Sequence, residues 1–504
     1  MRPLPGWLAA ALVFLASGAV LVLEVVALRL IGPYVGVTLQ TSSSVIGVAL
    51  GAIAYGAWIG GWLADRRDPR RLLAPALVLA GIATAATLPL VRFAGEALRG
   101  AAAGGVLMLA AVAVIPPAAL LSAVTPLVVK LQLGDLRRTG QVVGRLSSIG
   151  TLGGITATLV TGFILVAALP SSVIVLSLAV LLGAAGLALG GYLYRRERTA
   201  PPKPSRAGAA IVLIGLAGAG LAAVAPDPCD VETAYHCARV EVDPARPTGR
   251  LLILNSARHS YVDLADPRHL EFAYTRWIAA VADLVAPPGA PIEAVHLGGG
   301  GFTLPHYLAA TRPGTRSTVL ELDGALVELD RARLGLRIGP DLRVVVGDAR
   351  VNLHRRPGGS ADLIVGDAFG HLVVPWHLAT RQMMAEVRRV LRPGGVYAQN
   401  VIDYPRPGGG PGRFIRAELA TVRAVFPHVL LVAPPAAIRG EVSANFVIVA
   451  ADHPIDVAAL QRRLDGYPEE RATVLAEGAA ADFARGGPVL TDDHAPVDQL
   501  LVTP

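Results

Sequence analysis

Charge is scarce in this 504-residue chain: Asp, Glu, Lys and Arg make up 16% of it, against 53% apolar residues. The shortage is concentrated in the first 225 residues, which read as apolar runs of about twenty residues, the length that matches the hydrocarbon thickness of a bilayer. The net charge of +7 therefore does not point to nucleic acid, because many of the Lys and Arg residues sit in short loops between those runs. Cysteine is nearly absent. Cys229 and Cys237 are the only two, too few and wrongly spaced for a zinc site. They leave either a short disulfide, suited to an oxidising compartment, or a pair of unlinked thiols. No cleavable leader is expected either, since the first apolar run is too long and further spans follow it.

What is present divides the chain in three: a multi-pass helical membrane bundle over 1–225, a β-rich lead-in with a helix over 226–290, and an α/β Rossmann-like domain over 291–504. Seven spans are expected, at 7–31, 43–64, 72–91, 103–129, 146–169, 171–194 and 207–225. Thirteen basic residues lie in the loops after the second, fourth and sixth spans (Arg66, Arg67, Arg70, Arg71; Lys130, Arg137, Arg138, Arg145; Arg195, Arg196, Arg198, Lys203, Arg206), and two, Arg92 and Arg99, in the opposite ones. The positive-inside rule then places the N-terminus in the cytoplasm of a cell with this protein in its plasma or inner membrane, and the C-terminal domain outside. Small residues such as Gly51, Gly56, Gly60 and Gly61 predict a packed bundle. Glu24 is either a functional intramembrane acid or a partner for Arg29 near the interface. Pro116, Pro117 and Pro126 interrupt the fourth span.

In the soluble part an apolar strand, Val295-His-Leu, runs into Gly298-Gly-Gly-Gly301 and a helix-compatible stretch. Glycine lets the backbone approach a ligand closely, and a helix N-terminus offers unpaired N–H groups, so this is nucleotide-site geometry. About twenty residues on, a second strand ends in Glu321 and Asp323, the spacing at which an acid accepts hydrogen bonds from ribose hydroxyls. Gly347-Asp348-Ala349 and Gly366-Asp367-Ala368 end two further predicted strands. In a parallel sheet such ends are neighbours, so the acids converge on one cleft. Histidines 259, 371 and 377 read as polar rim residues; no metal site is expected.

These segments, with Leu391-Arg-Pro-Gly-Gly-Val-Tyr and Leu490-Thr-Asp-Asp-His-Ala-Pro-Val, resemble the membrane-fused branch of the spermidine synthase (polyamine aminopropyltransferase) family, whose fold is class I methyltransferase-like. Ser17-Gly-Ala-Val-Leu-Val-Leu-Glu24 and Gly60-Gly-Trp-Leu-Ala-Asp-Arg66 extend the resemblance into the bundle. The resemblance implies that Gly298, Gly299, Gly300 and Gly301 hold the arm of an S-adenosyl donor, with Glu321 and Asp323 at the ribose and Asp348 and Ala349 at the adenine. It implies that Asp367 orients and deprotonates an accepting amine beside Tyr274. His259, standing where the family has Gln, and His377 are expected on the substrate side. The expected co-substrate is decarboxylated S-adenosylmethionine, or S-adenosylmethionine itself. The expected partners are an amine, the bilayer and a second copy in a homodimer; nucleic acid is not among them. The chain departs from the family in lacking the Asp of the first loop and in having Gly370 where a second acid follows the catalytic one. Two other activities are compatible with the residues: methyl transfer from S-adenosylmethionine, or non-catalytic polyamine transport or sensing by the bundle.

Overall fold

The computed structural model describes residues 3–99, 103–197, 224–370, 373–467 and 471–501. The chain falls into two compact units, Met1–Cys237 and Ala238–Pro504.

The first unit contains six helices long and apolar enough to cross a membrane: Gly6–Val35, Leu39–Arg66, Pro69–Ala97, Gly104–Gln132, Thr139–Ala168 and Ser171–Arg196. They match the first six expected spans; the seventh, 207–225, lies almost entirely outside the described residues. Small residues set the packing. A Cβ on Gly56 would lie 2.4 Å from the carbonyl oxygen of Ala119, and one on Gly153 would lie 2.4 Å from that of Phe14. Both helix pairs therefore approach at a distance that no larger side chain permits, as expected where lipid removes the hydrophobic drive for helix association. Pro116 and Pro117 lie within the helix Ala103–Ser122. The interruption comes at Ala123, before the segment Val124–Gln132, where Pro126 has no N–H to give the preceding turn. A single π-helical turn, Thr161–Leu165, interrupts the fifth span.

Arg29 does not serve Glu24. Its guanidinium pairs with Glu232 at 3.1 Å and donates to the carbonyls of Thr233 (2.5 Å) and Ala234 (2.6 Å). Glu232 also accepts from the backbone N–H of Ser171 at 2.9 Å, so a carboxylate meets the positive N-terminal end of the sixth span. Arg92 pairs with Asp227 at 3.3 Å. Cys229 and Cys237 are bridged, closing the loop that carries the short strand β1 (Val231–Glu232).

In the second unit an antiparallel lead-in is formed by β2 (Cys237–Val242), β3 (Gly249–Leu254) and β4 (Ala257–Asp263). The helix Ala273–Val285 follows. The main sheet contains β5 (Glu293–Leu297), β6 (Arg316–Glu321), β7 (Leu342–Val346), β8 (Ala361–Gly366), β9 (Leu391–Asp403), β10 (His428–Ala433), β11 (Ala444–Ala451) and β12 (Thr473–Leu475). Its order is β12-β10-β11-β9-β8-β5-β6-β7. The five strands from β7 to β9 are parallel to their neighbours, and the rest are antiparallel. This is the doubly wound sheet expected from strand and helix alternation. The C-terminal strands extend the sheet beyond β9: β11 lies between β9 and β10, and β12, which has only three residues, takes the edge. The near-continuous apolar runs of β8, β10 and β11 fit strands covered on both faces.

Candidate active site

The strand order reverses between β5 and β8, and ligands of open α/β sheets bind outside the strand C-termini at such a point. The turn after β5 leaves the strand at Gly298, whose φ is +94°. Its N–H donates to the carbonyl of Leu320 (2.9 Å), and an added Cβ would lie 2.5 Å from the carbonyl oxygen of Asp367. The glycine turn and the loop after β8 are thus packed backbone to backbone. Gly301 N–H donates to the Ser260 hydroxyl of β4 at 2.9 Å. Phe302, itself left-handed at φ +58°, leads into the helix Thr303–Thr311.

At the end of β6, the buried Glu321 carboxylate accepts from the N–H of Gly299 (2.7 Å) and of Asp323 (2.9 Å). It therefore fixes the glycine turn. Burial raises its pKa, and the two N–H groups work against that shift. Asp323 is also buried and caps the helix Gly324–Arg333, accepting from Ala325 and Leu326. Asp348 caps Ala349–His354 through Val351 N–H (2.9 Å), and its second oxygen meets His377 Nε2 at 2.9 Å. Ala349 is buried at the start of that helix. Arg350 joins this corner to the C-terminal Thr-Asp-Asp segment through Asp492 at 2.6 Å and 2.7 Å, and Thr380 donates to the same carboxylate at 2.7 Å. His259 is half-buried on β4, next to Ser260; His371 lies outside the described residues.

Asp367, after β8, is a partly buried acid held by two hydrogen bonds. Tyr274 Oη donates to Oδ2 at 3.1 Å, and Asn400 Nδ2, from β9, donates to Oδ1 at 2.9 Å. Asn445 of β11 donates in turn to Asn400 Oδ1 at 2.9 Å. All of these partners are neutral. Burial pushes the Asp367 carboxyl up to about 6, against the opposing effect of the two hydrogen bonds. Burial, and then the adjacent carboxylate, raise Tyr274 well above the ordinary phenol range.

The Asn400–Asn445 relay was not read in the sequence, nor was Asp330. Asn400 could have been anticipated as a polar residue in an apolar strand beside the expected acid. Asp330 is a fully buried acid, and neither carboxyl oxygen has a hydrogen-bond partner. Burial, then the charges of Glu321 and Asp323, raise its pKa to about 9. A carboxyl that stays protonated when folded but ionises when unfolded costs stability increasingly as pH climbs from the ordinary Asp value toward 9. Asp330→Asn is therefore expected to raise the melting temperature more at pH 8 than at pH 5, with a stabilisation on the order of 1–2 kcal/mol at the higher pH. A scan at both pH values with an equal or opposite shift would exclude a protonated Asp330.

No family model matches the chain. Over 168 residues, 33% of its length, the chain is 30% identical to the polyamine aminopropyltransferase of Vibrio vulnificus and covers 52% of that protein. It thus spans about half the length of this curated relative. A probable spermidine synthase from Corynebacterium glutamicum is 28% identical, covering 54% of this chain and 96% of its own, with a TM-score of 0.48. The C-terminal part of the chain is spermidine synthase-like. Spermidine synthase from Thermotoga maritima is 16% identical over 53% of this chain and 81% of its own (TM-score 0.33). Human methyltransferase-like protein 13, in complex with SAH, is 21% identical over 45% and 96% (TM-score 0.30). In the spermidine synthase-like part, the glycine turn and the acids singled out from sequence follow four neighbouring strands, β5, β6, β7 and β8, along one rim.

Proposed function

We propose that the C-terminal unit transfers an aminopropyl group from decarboxylated S-adenosylmethionine to an amine. The observation that carries this reading is Asp367, partly buried, held between Tyr274 and Asn400 and in backbone contact with the Gly298 turn. An acid so placed serves an amine held next to the donor. An ammonium ion is no nucleophile, so a carboxylate must bind the cation and take its proton. The nitrogen lone pair then attacks the carbon beside the sulfonium, the C–S bond breaks, and its electrons stay on sulfur as methylthioadenosine. The sulfonium is already a good leaving group. The protein's task is alignment and deprotonation. Glu321 and the glycine turn would hold ribose and side arm; Asp348, steadied by His377, would face the adenine.

The test is amine-dependent release of methylthioadenosine by the full-length protein, together with calorimetric binding of methylthioadenosine alone. Release from the decarboxylated donor is expected with at least one primary amine. Release of S-adenosylhomocysteine from intact S-adenosylmethionine instead would assign methyl transfer. No binding at millimolar ligand would remove the nucleotide site.

We further propose that this unit lies on the extracytoplasmic side. Three observations support the orientation: the thirteen-to-two distribution of basic residues, the anchoring of residues 227–234 by Arg92 and Arg29 near the C-terminal ends of the third and first spans, and the Cys229–Cys237 bridge. Intact cells are expected to take up an impermeant thiol reagent only after reduction. Labelling that requires lysis and no reductant would place the unit in the cytosol.

A further inference from the structure

Inside the membrane unit the sequence left Glu24 with two readings, and the structure removes one of them. Arg29 is engaged by Glu232 and by the carbonyls of Thr233 and Ala234. Glu24 has no hydrogen bond or ion pair among the described residues. It sits half-buried in the helix Gly6–Val35, about 16 Å along the axis from Val35 at 1.5 Å per residue. An ionisable side chain at such depth costs several kcal/mol unless something compensates it, and functional sites are where that cost is tolerated.

The facing surface is polar as well. The first and fifth spans run parallel and in close contact. A Cβ on Gly150 would lie 2.9 Å from Ser17 Oγ, one on Gly18 3.3 Å from Ala157 Cβ, and one on Gly154 3.5 Å from Leu21 Cγ. Ser17, Leu21 and Glu24 share one helix face by their three- and four-residue spacing. Continuing this register by one turn brings Glu24 level with Thr158 and Thr161. Thr161 is fully buried, its hydroxyl has no hydrogen-bond partner, and it begins the π-helical turn Thr161–Leu165. Such turns break the regular backbone ladder and occur frequently at functional sites. By this register an unpaired acid, an unpaired buried hydroxyl and a backbone irregularity lie near one level of one helix interface.

We propose that this interface is an intramembrane binding site for the ammonium group of a primary alkylamine, with Glu24 as counter-ion and the Thr158 and Thr161 hydroxyls as hydrogen-bond acceptors. The chemistry selects that ligand class. Hard metal cations take six or more oxygen ligands, with carboxylates prominent among them; here there is one carboxylate, and no metal-ligating group of three or more His, Cys, Asp or Glu exists among the described residues. An ammonium group offers three donors to a few acceptors, and its alkyl chain suits the apolar residues beside the site, Leu21, Val22 and Val25. The site stands independently of the transfer reaction.

The test uses full-length protein in phosphatidylcholine nanodiscs with dansylcadaverine, a fluorescent primary amine, in an Asp367→Asn background that disables the soluble amine site. A saturable signal is expected, displaced by n-butylamine and not by n-butanol. Glu24→Gln is expected to weaken it by at least about tenfold, Glu24→Asp by less than about threefold, and Thr161→Val by an intermediate factor. A single monodisperse size-exclusion peak and an unchanged helical circular-dichroism signal report that the bundle of each variant is folded. A non-saturable signal, equal displacement by butanol, or unchanged affinity in Glu24→Gln would overturn the proposal. Should Glu24→Gln fail to fold, the Thr161→Val and Glu24→Asp comparison decides, and unchanged affinity in Thr161→Val overturns it.

Discussion

Asp367→Asn is expected to lower kcat by about 10²–10⁴-fold while leaving methylthioadenosine affinity within about twofold of wild type, the range over which a positioned acid or base acts. The amide is nearly isosteric. Its oxygen still accepts from Asn400, and its nitrogen can donate to the Tyr274 hydroxyl, so the hydrogen-bonded frame of 2.9 Å and 3.1 Å contacts survives. What disappears is the charge that would hold an ammonium ion and the lone pair that would take its proton. The pH dependence gives a second reading of the same residue. Burial raises the carboxyl to about 6, and the working form is the carboxylate, so kcat/KM should rise about tenfold per pH unit up to that value and then level off. The variant should lose this acid limb. Near wild-type turnover in the variant, or an acid limb centred on the ordinary Asp value near 4, would take Asp367 out of the reaction.

The elements most legible in the sequence were those set by local chemistry. Four glycines after an apolar strand demanded a tight turn, and Gly298 and Gly300 adopt positive φ there. Apolar runs of bilayer length gave the first six spans. The acids at three strand ends were legible because parallel topology brings such ends together whatever lies between them. Long-range partners were not. Asn400 and Asn445 are 45 residues apart and meet only because β9 and β11 are neighbours, a pairing no periodicity reveals. The interior position of β10 depends on the three-residue β12, too short to show a pattern. Arg29 was assigned a choice that included its nearest acid in sequence, while its partner lies 203 residues away. Several acids also have a second role that spacing alone does not reveal: Asp323 and Asp348 cap helices, and Glu321 holds backbone N–H groups.

Gly298→Ala is expected to damage both halves of the site, in contrast to Asp367→Asn. The new methyl group would sit 2.5 Å from the Asp367 carbonyl oxygen and 3.0 Å from its carbonyl carbon. Neither backbone atom can turn aside as a side chain would. The residue is also at φ +94°, where a non-glycine residue costs roughly 1–3 kcal/mol in strain. Both effects push the β5 turn away from the loop after β8, moving the donor arm relative to the acid. A displacement near 1 Å at a reacting centre can cost about 10²-fold in rate, and the Gly299 N–H that Glu321 holds at 2.7 Å moves with the turn, so donor affinity should fall too. Gly300→Ala provides the graded comparison. Its methyl group would meet Ser260 Oγ at 2.5 Å, the tip of a side chain that can rotate, although rotation gives up the bond from Gly301 N–H. Its φ of +50° lies in the left-handed region that other residues enter at about 1–2 kcal/mol. Activity and methylthioadenosine binding measured on the two variants should therefore show a large joint loss for Gly298→Ala and a smaller one for Gly300→Ala. Equal, minor losses would mean that the contact between the glycine turn and Asp367 does not set the distance between donor and amine.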